Sequence, residues 1–231
     1  MPLSTSSVFH FTKSIDAIIG ILTNHFKIKY CLETIESREQ TISYAVPMVS
    51  FCDIPLSQVS YHIEKYGGYG IGLLKKWAIG KGLNPVLYLE KNSAILNGIL
   101  KSGKFQNTNN VVQEFLRYTK NYEGQLFRGG ELVQKKYRYY DEREWRFSQE
   151  SPVIYDTDYY QQNKNTLNES LKVYKLDFTI KEISYIIVDD KSEILNVIDF
   201  LESNLKKESD RDNVKILLSK IITSKQIKTD F

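Results

Sequence analysis

The sequence predicts a single-domain α+β protein with a mixed, mostly antiparallel sheet flanked by helices. Its 231 residues can bury a large apolar core without the help of a metal or a disulfide. No linker long enough to divide the chain is visible, so we expect one domain over residues 1–231. Strand and helix patterns do not alternate regularly, which argues against a doubly wound parallel sheet.

The first part of the chain predicts buried strands separated by short helices. Ser7–Thr12 is aromatic and β-branched, as strands are, and Ser14 can cap the helix that follows it. After a polar span at 33–41, the apolar run Val46–Asp53 predicts a second buried strand. Pro55–Tyr66 predicts a helix, because proline suits the first helical turn.

The remaining elements follow from glycine-rich turns and hydrophobic periodicity. In the middle of the chain we expect strands at Tyr69–Leu74 and Val86–Leu89, a helical turn at Lys75–Ala78, helices at Ser93–Leu100 and Val111–Tyr118, and a polar loop at 103–110. Further on we expect strands at Glu144–Phe147, Leu171–Phe178, Ile183–Val188 and Val214–Leu218, a helix at Ser192–Leu201, surface loops at 156–168 and 206–212, and a polar tail.

Composition and charge argue against several classes of function. The net charge of +3 gives no electrostatic case for a nucleic-acid or membrane partner, because phosphate binding usually shows as a clustered basic face. The cysteines, Cys31 and Cys52, form neither a CxxC motif nor a disulfide framework. No signal peptide and no apolar run of about 20 residues is visible, so we expect a cytoplasmic protein.

The short motifs that identify common active sites are missing. There is no GxxxxGK[ST] phosphate loop, and the glycine-rich stretch Tyr66–Gly72 precedes a predicted strand instead of joining a strand to a helix. His10, His25 and His62 lack metal-binding spacing, and no GxSxG elbow is present. We therefore expect no metal, and an active site would have to be assembled from scattered residues.

Two predicted strands carry polar residues that could line a cleft. Alternation places His10 on the face opposite Phe9 and Phe11, where it could donate to a ligand hydroxyl or instead bond a neighbouring carbonyl. Ser50 and Asp53 lie at the end of the second buried strand, where polar groups often line clefts. Asp53 or Ser57 could equally cap the next helix, with Pro55 at its first turn. The residues alone leave these alternatives open.

The third polar signal is the segment Tyr139–Phe147. In an extended chain Glu142 and Glu144 point the same way, with Arg146 on their face. A carboxylate near a like charge and an aromatic wall can have a raised pKa and act as a base or a hydrogen-bond acceptor. The same side chains could instead form an exposed ion-pair ladder, worth under about 1 kcal/mol per pair.

Five segments of the chain lie in the order in which one known family has them. Between Val8 and Phe147 these are His-Phe-Thr, Val-Ser-Phe-Cys-Asp-Ile-Pro-Leu, Tyr-Gly-Gly-Tyr-Gly-Ile-Gly-Leu, Asn-Pro-Val-Leu-Tyr-Leu and Asp-Glu-Arg-Glu-Trp-Arg-Phe. The series resembles the AbiGi family of abortive-infection phage-resistance proteins, described as antitoxin-like partners of a nucleotidyltransferase-like toxin. The resemblance implies a component of bacterial phage defence with a toxin protein as its partner.

The first functional hypothesis is therefore an antitoxin-like regulatory or binding protein that performs no chemistry. The aromatic and basic stretch Leu126–Tyr140 is the predicted contact surface, with Arg128, Tyr137 and Tyr140 as binding residues. Arg146 is a further predicted binding residue. Neither the oligomeric state nor the identity of the partner follows from the sequence.

A more distant similarity to NAD-dependent ADP-ribosyltransferases gives the second hypothesis, an enzyme of that fold with NAD as its cofactor. By position, the resemblance assigns His10 to the ribose, Ser50 to the nicotinamide pocket, Tyr66 or Tyr69 to stacking on the nicotinamide, Glu144 to catalysis and Glu142 to orientation of an acceptor. The chain departs from that family where Val-Ser-Phe replaces Ser-Thr-Ser, and Arg146 could pair with Glu144. The hypothesis requires residues 10, 50 and 144 to share one cleft.

Overall fold

The structure is a computed structural model of the chain, and it describes residues 4–102, 110–128, 131–149, 153–204 and 211–231. The strands in these ranges are β1 (Ser7–Thr12), β2 (Phe26–Lys27), β3 (Lys29–Glu36), β4 (Thr41–Cys52), β5 (Tyr69–Leu74), β6 (Asn84–Pro85), β7 (Leu87–Leu89), β8 (Thr119–Asn121), β9 (Gly124–Arg128), β10 (Glu131–Tyr137), β11 (Glu144–Phe147), β12 (Tyr155–Asp156), β13 (Lys175–Leu176), β14 (Ile183–Val188) and β15 (Ile221–Thr223). The helices are α1 (Ile15–Asn24), α2 (Ser60–Tyr66), α3 (Lys75–Gly80), α4 (Ala94–Ser102), α5 (Asn110–Arg117), α6 (Thr157–Ser170), α7 (Ile194–Asn204), α8 (Arg211–Leu218) and α9 (Ser224–Asp230).

These elements group into two compact units, each made of separate stretches of chain. Unit 1 comprises Met1–Lys27, Phe51–Gly82 and Lys175–Phe231, and unit 2 comprises Ile28–Ser50 and Leu83–Tyr174. Most of β4 lies in unit 2, and its last two residues belong to unit 1. The expectation of one domain over residues 1–231 stays a prediction.

Unit 1 is built on strands in the order β15-β14-β5-β1. β14 and β15 are parallel, whereas β5 is antiparallel to both of its neighbours, with Ile71 opposite Ile186 on one side and His10 on the other. Phe9 and Phe11 project from one face of β1 into a core that also includes residues of α2 and α9. The predicted alternation along β1 is therefore confirmed.

Unit 2 is built on the antiparallel hairpin of β3 and β4, in which Lys29 lies opposite Met48 and Glu36 opposite Thr41. β4 also pairs with β12, and the strand order continues from β4 through β11 to β6. A second hairpin joins β9 to β10, and β7 runs parallel to β8. The core beneath β3 and β4 is formed by Ile35, Tyr44, Val46, Met48, Leu96, Leu100, Leu116 and Ile154.

The α+β class and the mixed, mostly antiparallel pairing are confirmed. Strands β1, β5, β11 and β14 have the predicted bounds, because each is a short run that contains apolar or aromatic residues and is flanked by turn residues. The polar span at 33–41 is in part a strand, since β3 continues to Glu36, where Thr34 and Glu36 are exposed. The predicted loops at 103–110 and 206–212 lie mostly outside the described residues.

Several predictions for the C-terminal part are wrong. The loop predicted at 156–168 is helix α6, which Asp156 caps and which buries Tyr160 against Tyr30 of β3. Of the strand predicted at Leu171–Phe178, only β13 pairs as a strand, and Leu171–Val173 forms a 3-10 turn. The strand predicted at Val214–Leu218 is helix α8, and the expected polar tail forms β15 and α9. For α6 the cap and the burial of one ring outweigh a polar composition, whereas the short apolar run of α8 fits a strand as well as a helix.

Candidate functional site

A cluster of buried charges lies in unit 2, with Glu144 at its centre. Oε1 of Glu144 accepts hydrogen bonds from Ser50 Oγ at 2.6 Å and from Arg146 Nε at 2.7 Å. Oε2 accepts from Arg146 Nη2 at 3.1 Å and from Lys120 Nζ at 3.2 Å. The side chain of Glu144 is only 8% exposed. Each carboxylate oxygen thus accepts two hydrogen bonds, which matches its two lone pairs.

Two cations connect this carboxylate to the strands around it. Arg146, which is fully buried, also donates to Glu33 Oε1 on β3 at 2.8 Å and to the carbonyl of Arg117 at 3.0 Å. Lys120 on β8 donates to Glu142 Oε2 at 2.9 Å. The network therefore joins β3, β4, β8 and β11 through charge-assisted hydrogen bonds, which are stronger than neutral ones.

The segment before β11 explains how Glu142 and Glu144 reach the same cation. Tyr139–Glu142 forms a 3-10 turn, and Arg143 has φ 45° in the left-handed region, so the chain reverses before Glu144 begins the strand. The expectation of an extended chain through Glu142 is therefore wrong, although both carboxylates do converge on Lys120. The alternative of an exposed ladder is also wrong, because Glu142, Glu144 and Arg146 are buried.

Charge pairing determines the protonation of the cluster. Burial alone would raise the pKa of Glu144, but the charges of Arg146 and Lys120 outweigh it and hold the pKa of that carboxyl well below its usual range. Burial would likewise lower the pKa of Lys120 and of Arg146, yet the surrounding carboxylates raise both pKa values. A raised carboxyl pKa was one possibility in the sequence, and for Glu144 the direction is the opposite. Glu144 is ionised at neutral pH.

A cleft of about 840 Å³ opens above this cluster, and all of its lining residues belong to unit 2. Lys120 and Glu33 connect the cleft to the cluster, with side chains 15% and 12% exposed. The lining residues come from β3, the start of β4, the segment after β7, β8, the hairpin β9–β10 and the residues that flank this hairpin. They are Leu32, Glu33, Thr34, Glu36, Thr41, Glu90, Lys91, Lys120, Asn121, Glu123, Gly124, Gln125, Leu126, Phe127, Lys135, Lys136 and Tyr139.

The hairpin β9–β10 forms one wall of the cleft and exposes apolar side chains. Phe127 and Leu132 lie opposite each other across the hairpin, and they are 55% and 43% exposed. Val133 is exposed as well. Large apolar side chains grouped on a surface are typical of protein contact sites.

Four residues were predicted as binding residues near this hairpin, and they lie in different surroundings. Tyr137 is buried and donates its hydroxyl to Glu142 Oε1 at 3.1 Å, and Arg146 is buried in the cluster, so neither is on the surface. Tyr140 is exposed, and its ring lies against Tyr88. Arg128 ends β9, and its side chain lies outside the described residues.

Ser50 lies with Glu144, as the second hypothesis requires, whereas the other predicted cofactor residues lie in unit 1. The ring of His10 packs against Phe26 and Phe51, at centroid distances of 5.2 and 5.7 Å. The ring of Tyr66 packs against His62, and the Tyr69 hydroxyl donates to Glu193 at 2.8 Å. Within unit 2 the structure groups Ser50, Glu142, Glu144 and Arg146, and a role of any of the predicted residues in NAD binding stays a prediction.

Asp53 does not cap the next helix. Its carboxylate accepts from Ser4 Oγ and from the backbone N–H of Thr5, both at 2.8 Å, and from Lys75 Nζ at 2.7 Å. Asp53 therefore ties the start of the chain to α3. The short 3-10 turn after Pro55 has no side-chain cap.

Lys120 and Glu33 are central to the site and were missed in the sequence. Lys120 stands alone between polar residues, and Glu33 lies in the polar span that suggested no strand. Once β3 is known to continue to Glu36, alternation places Glu33 on the face of Cys31 and Ile35. Among the described residues, no three His, Cys, Asp or Glu side chains are grouped as a metal site requires.

Comparisons with known proteins agree with the resemblance of the five segments. Residues 24–189 match the model of a family described as abortive phage resistance protein AbiGi, antitoxin. The chain belongs to the AbiGi family. It is 32% identical, over an alignment of 251 positions, to a Lactococcus lactis subsp. cremoris protein named abortive phage resistance protein AbiGi, and the alignment covers 89% of this chain and 99% of that relative. No solved structure matches the chain.

Membership of the AbiGi family connects the chain to abortive-infection phage resistance. No comparison supports the similarity to ADP-ribosyltransferases, so use of NAD stays a prediction. Of the helices within the described ranges, none is both long and apolar enough to cross a bilayer.

Proposed function

We propose that this chain is an antitoxin-like binding protein that acts in the cytoplasm and neutralises a partner toxin by contact. Membership of the AbiGi family supports the defence context, and the family description as an antitoxin supports this role. The partner is then a toxin protein, which the resemblance implies to be nucleotidyltransferase-like. The contact surface in this proposal is the cleft of unit 2 with its wall, the hairpin β9–β10.

The observation that carries the proposal is that the carboxylate predicted to be catalytic is saturated by its own neighbours. Each carboxylate oxygen of Glu144 accepts two hydrogen bonds, and the donors are Ser50, Arg146 and Lys120. The lowered pKa keeps the carboxylate of Glu144 ionised. A general base or nucleophile needs a lone pair directed at its substrate. The buried charges therefore support a structural role, and the exposed apolar pair Phe127 and Leu132 supports a binding role.

A double substitution of the exposed pair tests this function. Phe127→Ser with Leu132→Ser removes the exposed apolar pair of the hairpin, and the melting temperature should change little because about half of each residue is already exposed. The matched control is Ile95→Ser on α4, which is 63% exposed in the same unit and lies outside the cleft lining. Growth of bacteria that co-express the nucleotidyltransferase-like toxin with each variant is the readout.

We expect the wild-type chain and Ile95→Ser to restore growth and the double variant to fail. Binding of the purified toxin to each purified variant, measured by calorimetry, should follow the same order. The proposal is overturned if the wild-type chain neither binds the toxin nor restores growth. Full neutralisation by the double variant would show that the hairpin is not the contact surface.

A further inference from the structure

The outer edge of β3 is occupied at both ends by side chains that imitate a neighbouring strand. At one end, the backbone N–H of Glu36 donates to Asn121 Oδ1 at 2.7 Å, and Asn121 Nδ2 donates to the carbonyl of Glu36 at 2.8 Å. At the other end, the N–H of Tyr30 donates to Asn168 Oδ1 at 3.0 Å, and the Tyr160 hydroxyl donates to the carbonyl of Tyr30 at 3.4 Å. Both residues therefore direct their peptide groups away from β4.

The pairing with β4 gives an independent check of this direction. Residues along an antiparallel strand alternate between peptide groups that face the partner and peptide groups that face away. Pro47, which has no N–H, lies opposite Tyr30, and its carbonyl accepts from Ser148 Oγ at 2.8 Å instead of pairing with β3. Tyr30 and Glu36 are an even number of residues apart, so Leu32 and Thr34 between them also direct their peptide groups away from β4.

Leu32 and Thr34 open onto the cleft. Both residues line it, and the side chain of Leu32 is 48% exposed. In the part of the chain that the structure describes, no hydrogen-bond partner lies on their outward N–H and carbonyl groups. An edge strand with a row of open donors and acceptors is a template for another strand. The open stretch spans about 7 Å, from about 3.4 Å per residue.

We propose that the cleft binds an extended segment of the partner protein as an added strand on β3. The peptide groups of Leu32 and Thr34 pair with the backbone of that segment, and an apolar side chain of the segment contacts Leu32. The inference rests on the proposed function for the identity of the partner, because it describes how the toxin would be held. The binding of an extended segment follows from the open edge of β3 and does not depend on which protein supplies the segment.

The charge of the cleft indicates that the segment is nearly neutral. The lining contains four glutamates, Glu33, Glu36, Glu90 and Glu123, and four lysines, Lys91, Lys120, Lys135 and Lys136. A balanced lining gives no net attraction for a polyanion, so binding should depend only weakly on salt. A nucleic acid in the same cleft would instead lose affinity steeply as salt increases.

One substitution removes an open donor and leaves the β3–β4 pairing in place. Thr34→Pro deletes an outward N–H, and proline is tolerated on an edge strand where its missing N–H faces away from the partner. It also deletes the hydroxyl that bonds Ser43 Oγ at 2.9 Å. Thr34→Val is the matched control, because it loses the same hydroxyl and keeps the N–H. Loss of one such hydrogen bond should weaken binding by about tenfold.

The test uses two probes with the full-length chain. The first is a phage-displayed library of random ten-residue peptides, selected on the wild-type chain, and the second is the purified toxin. We expect selected peptides to bind Thr34→Val as tightly as the wild type and to bind Thr34→Pro about tenfold more weakly. Hydrogen exchange of the wild-type chain should show slower exchange at Leu32 and Thr34 when a selected peptide is bound, whatever the stability of the variants.

The outcomes separate this inference from the proposed function. If selected peptides bind both variants equally and leave exchange at Leu32 and Thr34 unchanged, or if no peptide is selected, the edge is not a docking site. If the toxin binds the wild type and Thr34→Pro equally, the edge is not how the toxin is held, although the proposed function stands. If peptides behave as expected and the toxin does not bind, the edge is confirmed and the proposed function fails.

Discussion

Glu144→Gln is the substitution that most directly tests the role of the buried charges. It neutralises a carboxylate whose side chain is 8% exposed and which pairs with Arg146, a fully buried cation. Breaking a buried ion pair from one side costs about 3–5 kcal/mol. Arg146 still has Glu33 as a partner, and Lys120 still has Glu142. We therefore expect the free energy of unfolding to fall by about 3 kcal/mol, at the lower end of that range.

Urea unfolding followed by circular dichroism measures this loss, and thermal melting gives a second reading. In a protein of this size, about 3 kcal/mol corresponds to a fall of about 6–12 °C in the melting temperature. The control is Asp141→Asn, which removes a carboxylate from the solvent-exposed pair with Arg138 at the same N–O distance, 2.7 Å. It should leave stability unchanged. Equal stability of Glu144→Gln and wild type would refute the reasoning, because the network would then contribute nothing to the fold.

Two further predictions concern the loss of stability at low pH and the destabilisation caused by Gly67→Ala. Because the folded-state pKa of Glu144 is lowered, its contribution to stability is complete above the usual glutamate pKa of 4.5 and is lost as the pH falls below that value. Urea midpoints between pH 7 and pH 3 should therefore fall more steeply for the wild type than for Glu144→Gln, and parallel profiles would contradict the assignment. In unit 1, Gly67→Ala should destabilise by about 1–3 kcal/mol, since Gly67 has φ 119° and an added Cβ would lie 2.1 Å from the Thr12 carbonyl oxygen. Gly20→Ala, in a helix with no atom within 4 Å of the added Cβ, should melt at or above the wild-type temperature; a lower melting temperature for Gly20→Ala than for Gly67→Ala would show that backbone strain is not the cause.

The fold could be predicted where the local pattern and the tertiary environment agree. β1 has apolar alternation, β5 is a nearly continuous buried run, and both have flanking turn signals and the predicted bounds. Helix α6 has a polar, Asn- and Gln-rich sequence, and it is helical because Asp156 caps it and Tyr160 packs into unit 2. A single buried ring among polar residues gives little periodic signal. Helix α8 shows the opposite difficulty, since its short apolar run fits a strand as well as a helix.

The site could be predicted only in part, for a physical reason. Glu144 and Arg146 are two residues apart in one strand, so alternation was enough to place them on one face. The partners Glu33 and Lys120 come from distant strands, and no local pattern connects them to Glu144. The contacts of Glu33 and Lys120 depend on which strands pair, and this pairing cannot be deduced from local patterns in a single sequence. The same holds for the cleft, because its walls come from β3 and from a hairpin far along the chain.

The buried charges and the open edge of β3 are connected through Glu33, which lies between Leu32 and Thr34. An ion pair in the interior adds little net stability compared with apolar packing, so its presence needs another explanation. The hydrogen bond that Glu33 accepts from Arg146 fixes which face of β3 points to the cluster. A slip of one residue in the pairing with β4 would turn Glu33 away and leave Arg146 without this carboxylate. The same slip would turn the peptide groups of Leu32 and Thr34 towards β4 and present the peptide group of Glu33 at the edge instead. The network therefore specifies the register that keeps those donors and acceptors open to the cleft.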